Sequence, residues 1–106
     1  MSRTLLIAAN LKMNPLPAGA LEPHSPYGEH SSVEVVLFPS ALDLQACIDA
    51  RLIAGAQAGS AEAVGAFTGD INMQMIAASQ ARYVLCGHSE RRTIHGETDE
   101  DVAAQV

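Results

Sequence analysis

Four short apolar runs constrain this chain more than anything else in it: Thr4 to Ala9, Val33 to Phe38, Leu52 to Ala58 and Arg82 to Cys86. Each is continuous rather than alternating, the pattern of strands covered on both faces. Stretches with helical character lie between them. In "PSALDLQACIDAR", Ser40 is placed to cap a helix whose apolar stripe runs through Leu42, Ala46 and Ile48 to Leu52. In "GAFTGDINMQMIAASQ" a Gly-punctuated loop precedes a helix from about Asn72, with Ile71, Met75, Ile76 and Ser79 on related faces. In "ETDEDVAAQV", Thr98 caps a helix with acids in its first turn, where they suit the helix dipole. Strands alternating with helices predict βα units on a parallel sheet with right-handed crossovers.

One segment breaks the rhythm. Residues 15–32, "PLPAGALEPHSPYGEHSS", hold four prolines and two glycines, so the helix expected after the first strand is short or missing. The 106 residues suit one domain or part of one. Apolar residues make up 48% with only four aromatics, as small aliphatic helices packed on a parallel sheet require.

Charge narrows the partners. Twelve carboxylates against six Lys and Arg give a net −6, which argues against nucleic acid and against an anionic membrane surface. An anionic substrate would depend on a few local cations, and Lys12, Arg91 and Arg92 are the ones near polar clusters. The longest apolar run, Leu5 to Ala9, is far short of the ~20 residues of a spanning helix and of a signal-peptide core. The expectation is therefore a cytoplasmic protein. Cys47 and Cys86 read as inert core thiols, and His24 and His30 are not spaced like a zinc site, so neither metal nor cofactor is expected.

In a parallel βα sheet the chemistry gathers at the carboxyl ends of the strands. Here those ends deliver Asn10 and Lys12, then "FPS", then Gln57, then His88 and Glu90. Taken singly, such residues are more often solvated or structural than catalytic. Their convergence on one rim is the stronger signal.

The segments "ANLKMN", "GAFTGD" and "GHSERRTIHGETDE", in this order and at these separations, resemble the N-terminal part of the triosephosphate isomerase family, whose familiar versions read ANWKMN, GAFTGE and GHSERR with FGE soon after. The resemblance covers residues 3–14 and 33–106 and fails in the Pro-rich stretch. Leu11 stands for the usual Trp, Ala58 for an Asn and Asp70 for a Glu, departures that bear on packing and subunit contacts.

The resemblance implies an N-terminal half of a (β/α)8 barrel, four parallel strands with intervening helices. It also implies interconversion of dihydroxyacetone phosphate and glyceraldehyde 3-phosphate through an enediol(ate). His88 matches the electrophile. A helical turn at Ser89, Glu90 and Arg91 would aim backbone N–H groups at its ring and favour the neutral imidazole, a logic for which this enzyme family is itself the standard illustration and which is borrowed here. Lys12 matches the lysine facing substrate phosphate and carbonyl oxygen, and Asn10 the amide that fixes the substrate. Glu90 would neutralise or hold Lys12, with Ser89 supporting.

Arg91, Arg92, Asp70 and Glu97 are expected to form an ion-pair network bracing the loops. Thr68 would touch a neighbouring subunit in an oligomer. The family's base, on the sixth strand, and its phosphate-binding lid and turns have no counterpart in these residues. A complementary C-terminal half-barrel chain is the expected partner. Two other readings compete with this one: a non-catalytic half-barrel scaffold that assembles with itself, and another phosphosugar enzyme with Glu90 or Glu97 as base.

Overall fold

The computed structural model describes residues 3–106. Four parallel strands stand side by side in sequence order. β1 (Leu5–Asn10) pairs with β2 (Val33–Phe38) in a six-residue register from Leu5 opposite Val33 to Asn10 opposite Phe38. β2 reaches β3 (Gly55–Ala56) through the single bridge Leu37 to Ala54, and β3 pairs with β4 (Tyr83–Val84). The expected α/β class with parallel strands holds. β3 and β4 are much shorter than the apolar runs that predicted them, because only two residue pairs between them keep full ladder geometry. Gly55 permits the close approach: a Cβ there would lie 2.5 Å from the Phe38 ring and 2.7 Å from the Tyr83 carbonyl oxygen.

Between β1 and β2 the chain makes a series of turns and no helix, as four prolines in 18 residues dictate. α1 (Ala41–Asp49) follows β2. Ser40 is its N-cap by position, but its hydroxyl faces Asp43 Oδ2 at 3.5 Å and caps no backbone N–H. The buried face of α1 is Leu44 and Cys47, not the stripe through Leu42, which is 95% exposed. α2 (Met73–Ala78) begins where the sequence places it, with Asn72 Oδ1 accepting from Met75 N at 2.9 Å and Ile76 buried. α3 (Ser89–His95) and α4 (Asp99–Gln105) close the chain. Thr98 and Asp101 form a reciprocal capping box at the start of α4.

The core sits where β2 and β3 meet α1 and α2: Leu37, Leu44, Cys47, Ala54, Ala56 and Ile76. β1 touches it through Ala9, while Leu5, Leu6 and Ile7 are 67%, 45% and 52% exposed. Since neighbours along a strand point to opposite faces, both faces of β1 are open. Cys47 is buried as expected, whereas Cys86 is only partly so. Burial raises both thiol pKa values, helped at Cys47 by Asp43 and at Cys86 by Glu97. Among the described residues no helix is long and apolar enough to cross a membrane.

Candidate active site

Asn10 ends β1, Gln57 follows β3, and His88 opens α3 after β4, so the three stand at the carboxyl ends of their strands. Past Asn10 the backbone turns sharply. Lys12 takes φ +54°, a left-handed conformation that non-glycine residues rarely adopt and that costs energy unless its surroundings enforce it. Two contacts enforce it. Asn10 Oδ1 accepts from Lys12 N at 2.9 Å, and Gln57 Nε2 donates to the Lys12 carbonyl at 2.9 Å and to the Phe38 carbonyl at 3.0 Å. Gln57 is thus a clamp between the first two strand ends, a role that its position on the rim hinted at without specifying.

Lys12 Nζ donates to Glu90 Oε1 at 2.8 Å. That hydrogen bond outweighs an opposing desolvation and, with the smaller effects of the ammonium charge and of His88, holds the Glu90 carboxyl below its ordinary pKa. The backbone N–H of Glu90 donates to His88 Nδ1 at 3.1 Å, and His88 is the N-cap of α3. An Nδ1 that accepts leaves the hydrogen of the neutral ring on Nε2. Asn10, Lys12, Glu90 and His88 therefore form one continuous hydrogen-bonded chain across the rim. Ser89 is the first residue of α3 and is exposed.

The bracing ion pairs differ from expectation in one partner. Arg91 reaches Glu97 at 3.3 Å, and Arg92 reaches Asp99 at 2.6 Å, while Asp70 makes no ion pair among the described residues. Asp70 ends an exposed arm, residues 61–70, whose base is tied by Ser60 N donating to the Ile71 carbonyl at 2.7 Å. Thr68 lies on that arm, exposed.

A cleft of about 600 Å³ opens beside Lys12 and Gln57, bounded by Ser40, Glu62, Arg91 and Glu97. His88 and Asn10 do not line it, so the polar chain lies along its margin. A smaller cleft of about 330 Å³ is at the opposite, amino ends of the strands, against Thr4, Tyr27, Glu34 and Arg51. Among the described residues no group of three or more His, Cys, Asp or Glu could hold a metal ion.

The arrangement supplies a cation and an N–H donor within one network, groups of the kind that can stabilise an oxyanion. Comparison with known proteins identifies relatives of the chain. The family model described as triosephosphate isomerase matches residues 5–106. The triosephosphate isomerase of Caulobacter vibrioides is 41% identical over 114 residues, covering 95% of this chain and 43% of that protein. That of Rhodopirellula baltica is 40% identical over 117 residues, covering all of this chain and 45% of its own. That of Cupriavidus necator is 52% identical over 70 residues, or 65% of this chain and 29% of the relative. The chain spans less than half the length of these relatives.

Proposed function

The chain belongs to the triosephosphate isomerase family, and from that premise we propose that its residues form part of a site interconverting dihydroxyacetone phosphate and glyceraldehyde 3-phosphate. In this reading the four strands are the first four of a (β/α)8 barrel, with the first crossover helix replaced by the turns of residues 15–32. His88 is the electrophile. Its Nε2–H donates to the substrate carbonyl oxygen as the enediolate develops, and Glu90 N at Nδ1 holds the ring in that tautomer. Lys12 lends positive charge to phosphate and oxyanion, with Glu90 as its tether.

Asn10 keeps its Oδ1 on the Lys12 backbone, which leaves its amide nitrogen to donate to the substrate. The carboxylate that takes the carbon-bound proton comes from a complementary C-terminal half outside these 106 residues, so this chain alone turns nothing over. Thr68, at the exposed arm, meets a second subunit. The observation that carries the reading is the hydrogen-bonded run from Asn10 through Lys12 and Glu90 to His88 at the strand ends.

The test is reconstitution. The purified chain should show no isomerase turnover, and mixing it with a C-terminal half from a family member should restore it. His88→Asn in the mixture should lower kcat by about 100-fold or more, in the usual range for a positioned acid or oxyanion donor, with assembly intact. Turnover by the 106 residues alone, or an unchanged kcat with His88→Asn, would overturn the assignment. Assembly with itself but never with the complement would favour a non-catalytic scaffold instead, a reading that the open faces of β1 keep in play.

A further inference from the structure

Arg91 and Arg92 are adjacent in sequence but do different work. Arg91 holds the far side of α4, sharing Glu97 Oε2 with Gln105 Nε2 at 3.1 Å. Arg92 turns back toward the strand end: Nε donates to the Gly87 carbonyl at 3.0 Å and Nη1 to Asp99 Oδ1 at 2.6 Å. We propose that Arg92 is a positioning residue for His88, fixing the Gly87–His88 peptide against α4 so that the imidazole keeps one orientation.

The argument runs through the peptide plane. The bond between Gly87 and His88 is planar, so pinning its carbonyl oxygen fixes the plane from which the His88 backbone departs. Gly87 itself has φ +69°, and a Cβ there would meet Val102 Cγ2 at 2.8 Å and Arg92 Nη2 at 3.0 Å. Hence Val102 of α4 and the Arg92 guanidinium close on Gly87 from two directions. At the other end of the turn His88 Nδ1 accepts from Glu90 N, and the His88 carbonyl accepts from Arg92 N at 3.1 Å. His88 is thereby held before and after its Cα, and the planar fork of one arginine connects the first restraint to α4. A lysine, a single point charge on a flexible stem, could not serve both acceptors in that geometry.

This inference takes its functional interest from His88 as the electrophile, but its test needs no substrate. The full chain, labelled with 15N in histidine, reports the His88 tautomer through its ring nitrogen shifts, with His88→Gln identifying the signals. The native chain should show a hydrogen on Nε2 and an accepting Nδ1. In Arg92→Ala the two shifts should move toward the averaged values of a free imidazole, and the Glu90 amide should exchange about tenfold faster, the scale of one lost hydrogen bond. Arg92→Lys should recover part of that loss.

Arg91→Ala, which breaks the neighbouring pair, should leave the tautomer and the Glu90 amide as they are. If Arg92→Ala does not fold, Asp99→Ala at a side chain 90% exposed removes the outer anchor alone and should shift both signals in the same direction by less. An unchanged tautomer and Glu90 exchange in Arg92→Ala or in the folded Asp99→Ala variant would overturn the proposal. So would an equal loss in Arg91→Ala, since it would mark general loosening of α3 and α4. None of these outcomes depends on turnover, so a failed reconstitution would refute the isomerase reading without touching this one.

Discussion

Gly87 and Gly96 share a backbone conformation, φ +69° and +72°, yet alanine should cost far more at the first than at the second. Any non-glycine residue in the left-handed region carries a penalty of roughly 1–2 kcal/mol. At Gly96 that is the whole expected effect, because a Cβ there finds no atom within 4 Å. At Gly87 the added methyl would lie 2.8 and 3.0 Å from the two Val102 methyls and 3.0 Å from Arg92 Nη2. Valine in a helix has essentially one χ1 rotamer, so Val102 cannot swing aside, and Arg92 can yield only by loosening its bonds to Gly87 and Asp99.

Overpacking of this kind adds roughly 1–3 kcal/mol, so Gly87→Ala should cost about 2–5 kcal/mol in all. Urea unfolding followed by far-UV circular dichroism reads the difference. With an m-value of about 1–3 kcal/mol/M, the Gly87→Ala midpoint should fall about 1 M below that of Gly96→Ala. Both variants must be compared at one protein concentration, because association adds to apparent stability. Adding Val102→Ala should return part of the loss in Gly87→Ala and none in Gly96→Ala. Equal midpoints for the two glycine variants would show that α4 does not press on the His88 turn, and the packing argument would fall.

Lys12→Met should weaken binding of a phosphate-bearing inhibitor to the reconstituted site, and the deficit should shrink as salt rises; equal affinity at low salt would remove Lys12 from the site. For Glu90 the folded pKa is depressed, so its contribution is present above the unfolded carboxyl value of about 4.3 and is lost as pH falls through the lower folded one. A carbon-detected titration of the Glu90 carboxyl should show that lowered midpoint, and Lys12→Met should bring it back toward the ordinary value; a midpoint indifferent to Lys12 would refute the tether.

The open faces of β1 should make the isolated chain associate or bind hydrophobic dyes. At ~25 cal/mol per Å², even ~500 Å² of apolar surface represents roughly 12 kcal/mol before the costs of association. Sedimentation showing a monodisperse, dye-silent monomer with cooperative unfolding would mean that the chain closes its own core.

What the sequence determined by itself lies within a few residues of its signals. Asn72 and Thr98 cap helices because a side-chain oxygen two or three positions upstream of a free N–H reaches it whatever the rest of the chain does. The prolines of residues 15–32 exclude a helix by the same local logic, and the strand ends that carry Asn10, Lys12 and His88 follow from the apolar runs before them. Ser40 shows the limit of such signals: its position is right, but Asp43 three residues on takes its hydroxyl.

Tertiary structure decided what depends on distant atoms. Leu42 fits an apolar stripe in sequence, yet it is Leu44 and Cys47 that point at Ala54 and Ile76, because the face of α1 that is buried is set by where β3 and α2 lie. Arg92 pairs with Asp99 because α4, which begins at that residue, lies against the Gly87 turn through Val102. The strained backbone of Lys12 and its clamp by Gln57, 45 positions away, are invisible to any local pattern. They exist only because parallel strands place the ends of β1, β2 and β3 side by side.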